Sequence, residues 1–197
     1  MYLNNCNLRI SEGKELENGY VELTHNTEYR VILGNQKSVR CDAYLEIDGK
    51  HVGTWRLNPH DSITLERPAH DDGRFTFYQI GTTEAYTAGL VEGDAKLGLV
   101  KAIVTPELIQ RQTELMLGES REVGNLNKRA AKKPARNYAP GGTGLSGKSD
   151  QKFINVGPMK LDHSQRTEIN LRLIARKVSQ QPRPLTPFST PVPPPIN

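Results

Sequence analysis

Eight consecutive residues of this 197-residue chain have the types and spacing of a phosphate cradle. Gly142-Thr143-Gly144-Leu145-Ser146-Gly147-Lys148-Ser149 matches G-x-x-x-x-G-K-[ST] letter for letter. In such a loop, backbone N–H groups face the phosphates, the lysine adds charge and the hydroxyl holds magnesium. That chemistry needs a buried strand before the loop and a helix after it. Here Lys132 to Pro140 precedes it, with two prolines and almost no apolar residue, and Asp150 to Pro158 follows, reading as a strand stopped by proline. No apolar run ending in aspartate is present to hold the metal. The motif therefore reads as a Gly/Ser-rich surface loop, and nucleotide hydrolysis ranks last among the functions considered.

The remaining reactive side chains are sparse. His25, His51, His60, His70 and His163 show no H-E-x-x-H spacing, and Cys6 and Cys41 form no C-x-x-C. His60-Asp61 and His70-Asp71-Asp72 fall in loops and read as turn formers rather than metal ligands. Cys41 shares a strand face with Val39 and Ala43, the setting of a buried structural thiol, and two free thiols suit a reducing compartment. No G-x-S-x-G elbow is present. No catalytic residue, cofactor or metal is expected.

Two segments have binding chemistry instead. Lys128, Arg129, Lys132, Lys133 and Arg136 place five cations in nine residues with no acid between them. Such a run attracts phosphates without regard to base sequence, or docks on an acidic protein surface. Tyr138 is its only nearby aromatic, a poor platform for base stacking. Residues 178–197 hold seven of the chain's thirteen prolines, among them Pro184, Pro187, Pro193, Pro194 and Pro195. Proline cannot donate to a ladder, so this segment reads as an extended arm laid on a neighbour. Pro184-Leu185-Thr186-Pro187 also fits P-x-x-P.

The elements that must carry these segments read as β. Val39, Cys41, Ala43, Leu45 and Ile47 alternate on one face, Asp48-Gly49 is a hairpin turn, and His51–Leu57 returns. Further strands are expected at 20–25, 28–33, 62–66, 74–80, 97–104, 152–156 and 167–175. Residues 81–95 read as a loop with room for one helical turn. Thr105-Pro106-Glu107 reads as the capped start of a helix ending at Gly118, and 119–150 as an aperiodic basic, Gly-rich loop. The sum is an antiparallel β-sandwich, jelly-roll-like, over 1–177, with one short helix, the 105–150 insertion and the 178–197 arm.

Charge divides along the same line. Residues 1–120 hold 12 Lys+Arg against 18 Asp+Glu, and residues 121–197 hold 14 against 4. An acidic module thus bears a basic extension. No run of about 18 apolar residues exists, so no membrane-spanning helix is expected. The polar first fifteen residues show no secretory signal.

Tyr44–Leu57, Ile63–Pro68, Arg74–Tyr78, Thr143–Gly147 with Gln151-Lys152-Phe153, and Ile169–Leu173 together resemble small single-jelly-roll proteins of large icosahedral DNA virus particles, the penton and minor capsid proteins. The resemblance is one of strand pattern over about half of the chain. It implies a non-enzymatic structural component of the virion, assembled in the host cytoplasm. Its partners would be other capsid proteins and further copies of itself, a pentamer being one such form. The basic loop and arm would then be assembly elements, although a minimal jelly roll does not account for the 105–150 insertion. The alternative is a sandwich that binds a glycan through its loops, or nucleic acid through its basic segment.

Overall fold

The computed structural model describes residues 1–109 and 138–176. Within them the chain forms two β-sheets packed face to face, the antiparallel sandwich expected from the alternating strands. The smaller sheet has the order β1 (Tyr2–Leu3), β2 (Cys6–Ile10), β6 (Val31–Asn35), β9 (Asp61–Leu65). The larger runs β5 (Thr27–Glu28), β10 (Arg74–Gln79), β12 (Tyr138–Ser146), β13 (Thr167–Arg176), β11 (Leu99–Pro106), β7 (Cys41–Ile47), β8 (Lys50–Leu57). On β13 it also carries β4 (Tyr20–Leu23), which pairs in parallel, and β3 (Lys14–Glu15) pairs with β4.

Alternation drives the packing. Cys41, Ala43, Leu45 and Ile47 of β7 are buried, and so are Ile169, Leu171 and Leu173 of β13. They meet Leu8, Val31, Leu33 and Leu65 from the smaller sheet in one continuous apolar core. Period-two burial makes this the stable register, because a one-residue slip would turn each face outward. The β7–β8 hairpin closes on Asp48-Gly49, both at positive φ (51° and 77°), as a two-residue turn of this kind requires.

Several expectations need correction. Residues 28–33 are not one strand: the chain crosses between sheets at Tyr29-Arg30, so β5 and β6 lie on different layers. Cys6, Leu8 and Ile10 form a buried strand face in a segment read as merely polar, since asparagines flank the alternation. Thr105-Pro106 is the end of β11 and not a helix cap; Pro106 sits opposite Cys41 at the strand terminus, where a missing N–H is tolerated. The rest of that expected helix, 110–118, lies outside the described residues. Among the described residues the α-helix is α1 (Thr83–Thr87), inside the segment read as a loop with one turn, with the Thr82 hydroxyl capping the Ala85 N–H at 3.2 Å.

Residues 138–146 are strand β12, where a loop was expected. Residues 152–156 are not in a ladder at all. They belong to an extended strap fastened over the sandwich: Arg67 donates to the Gln151 carbonyl from Nε and Nη2, at 2.9 and 2.5 Å, and lies 4.5 Å over the Phe153 ring. Phe153 meets Trp55 edge-on at 5.6 Å.

Candidate functional site

A groove of about 560 Å³ opens between the tip of the β7–β8 hairpin, the face of β10 and β12, and α1. Its walls are mainly apolar, with Ile47, Val52, Pro68, Tyr78, Ala88 and Leu145 among them. Glycine makes the floor: a Cβ at Gly144 would collide with the Tyr78 ring, so the bare backbone leaves room for that ring against β12. The Tyr78 hydroxyl has no hydrogen-bond partner among the described residues.

Asp48 anchors the groove. The hairpin turn swings its carboxylate onto two backbone amides, Gly98 N–H at 2.5 Å and Thr143 N–H at 2.6 Å. Burial pushes its pKa up to about 6, while the two amides pull the other way. On the same Thr143, the side-chain hydroxyl meets the Tyr29 hydroxyl at 2.6 Å, and the buried Tyr29 ring stacks on Phe75 at 5.8 Å. Burial moves the Tyr29 phenol far above its ordinary range, so it stays neutral. At the rim, His51 stacks on Tyr44 with ring centroids 4.4 Å apart. Glu84 of α1 lies 3.7 Å from His25, whose Nδ1 accepts from the Gln79 N–H.

These polar groups act as ties. Both Asp48 oxygens are engaged by backbone donors, and Thr143 is engaged on both its amide and its hydroxyl. What else lines the groove is mainly apolar side chain with the Tyr78 phenol, and polar groups at Lys50, His51 and the α1 residues Thr83, Glu84 and Thr87. The arrangement suits an apolar ligand with unsatisfied carbonyl groups.

The phosphate-cradle motif is resolved against both sequence readings of it. Gly141 to Ser146 pair residue by residue with Gln79 to Arg74 in an antiparallel ladder, and the Thr143 amide is taken by Asp48, so these residues form a strand and not a phosphate loop. The surface-loop reading fails for the residues up to Ser146 and holds for the exposed Gly147 and Lys148. Lys148 is exposed, and the Ser149 side chain is buried, donating to Glu66 at 3.0 Å. Cys41 and Cys6 are free, buried thiols. Among the described residues no three His, Cys, Asp or Glu side chains group as metal ligands. Asp61 and Asp71 serve their own turns, accepting from the Ser62 and Gly73 N–H groups. The cations Lys128, Arg129, Lys132, Lys133 and Arg136, and the prolines Pro184, Pro187, Pro193, Pro194 and Pro195, lie outside the described residues. Sequence reasoning took Asp48 only as a turn former. Its signal was the turn itself, which frees the carboxylate, but its partners stand 50 and 95 residues away.

No family model matches the chain, and no curated protein or solved structure matches it. No helix among the described residues is long and apolar enough to cross a membrane.

Proposed function

We propose that the chain is a non-enzymatic structural protein, a jelly-roll-like building block joined to its neighbours by its extensions, in the manner of a penton or minor capsid component. What supports this reading is where the chain enters and leaves the sandwich. Tyr138, the first residue of β12, pairs with Arg176, the last of β13. The basic segment therefore returns, and the proline arm departs, on adjacent strands at one end of the sheet. Charge divides between body and extensions: the described residues hold 17 Lys+Arg against 19 Asp+Glu, and the remainder 9 against 3. Opposite signs on body and extensions favour contact between copies.

Mass by light scattering over a concentration and salt series tests it, on the full chain and on one ending at Val178, just past β13. Self-assembly that weakens without the arm supports the proposal. A monomer under every condition overturns self-assembly and directs the search to a heterologous partner.

A further inference from the structure

We propose that the groove between the β7–β8 hairpin, α1 and β12 is the docking site for the chain's own proline-rich segment, residues 184–197. This deepens the assembly reading and rests on its premise that the arm is a docking element.

Three observations converge on this occupant. The first is composition. Residues 184–197 hold no Asp, Glu, Lys or Arg, but six prolines with Leu185, Phe188, Val192 and Ile196. A stretch without charge and this rich in apolar side chains gains by leaving water. Proline also pre-extends it, so docking sacrifices little conformational entropy.

The second is the groove's chemistry. Its carboxylate Asp48 is held by two amide donors and its Glu84 lies 3.7 Å from His25, so these acids are tied at the edges of a mainly apolar lining. The Tyr78 hydroxyl and the Lys50 ammonium are donors in those walls without a partner among the described residues. A polyproline-type segment makes no internal hydrogen bonds, so its carbonyls need such donors, and an aromatic-lined groove is the usual receptor. The volume of about 560 Å³ is that of a pocket able to bury several residues.

The third is reach. The arm leaves beside Tyr138, and the groove is lined by Thr143 to Leu145 of the same strand, five to seven residues further on. At about 3.3 Å per residue that is roughly 16–23 Å. Residues 177–183 can span about 23–25 Å when extended. Pro184 onwards can thus enter the groove of its own sandwich, or that of a copy packed alongside.

The test uses the full chain with a nitroxide on Tyr86→Cys, an exposed position on α1 that does not line the groove; Cys6 and Cys41 are fully buried and remain unlabelled. Methyl NMR reads Leu185, Val192 and Ile196. Docking more than halves their intensities, and Leu145→Glu, at a half-exposed wall position, restores them while core methyls such as Leu45 and Leu171 keep their shifts. Mixing spin-labelled, isotope-silent chains with label-free, isotope-enriched chains separates the two sources of the arm. Broadening between molecules supports the inference and the assembly reading together. Broadening only within one molecule supports the inference and removes the arm from assembly. Arm methyls that are unbroadened, or broadened equally in Leu145→Glu, overturn the inference and leave the assembly reading to the mass measurement.

Discussion

Asp48 carries a charge into a place that disfavours it. Its native pKa of about 6 stands above the ordinary 3.8, chiefly through burial. Between those values the native state keeps a proton that the unfolded chain has already released. Stability from this group therefore falls as pH rises from about 4 through 6, by on the order of 2–3 kcal/mol. Asp48→Asn removes that slope. It also leaves one of the Gly98 and Thr143 amides without its acceptor, at about 1–3 kcal/mol. Urea unfolding at pH 4 and pH 7 checks both: the variant's loss relative to wild type is larger at pH 4 than at pH 7. Equal losses at the two pH values would mean that Asp48 titrates as an exposed carboxylate. Gly144→Val tests the groove floor. The added side chain collides with the Tyr78 ring, and overpacking of this kind costs about 1–3 kcal/mol, read as a lower urea midpoint.

Elements differ in how openly they announce themselves. The β7–β8 hairpin was legible because its side chains alternate and its turn residues tolerate positive φ, both local properties. β13 was legible for the first reason alone. β12 was not: its glycines supply backbone to the ladder with Arg74–Gln79 but no apolar period to detect, and the cradle-like spelling drew attention elsewhere. The strap over 152–156 imitates a strand in sequence, yet it is held by Arg67 and Phe153 rather than by a ladder. The groove was illegible because its walls come from five separated stretches of chain. Phe153→Ala probes the strap. Trp55 is the only tryptophan, so its emission shifts to the red as its ring becomes wetter. Because Phe153 is only partly buried, the expected loss is about 1–2 kcal/mol, below that of a fully buried phenylalanine. An unchanged emission maximum would show that the strap does not shield the indole.

For the molecule as a whole, the proposed assembly sets a basic segment against an acidic body, an association that salt would weaken. Replacing Lys128, Arg129, Lys132, Lys133 and Arg136 by Gln should flatten the salt dependence of the mass measured by light scattering. It should also lower the salt needed to release the chain from heparin. An unaltered salt response assigns the attraction to other charges. The wiring of the larger sheet has a bearing on synthesis as well. β13 is the shared partner of β4, β11 and β12, with Val21 set beside Leu173 across some 150 residues of chain. Pairings of such long sequence separation form slowly. A nascent chain that stops before Thr167 therefore holds three strands with no common neighbour and an apolar core open to water. Such fragments are exposed to proteolysis and to chaperones, whereas a chain that has completed β13 can close over its core. Among the described residues the strand made last is thus the one that joins the others, and the sandwich can close only in chains translated through to Arg176.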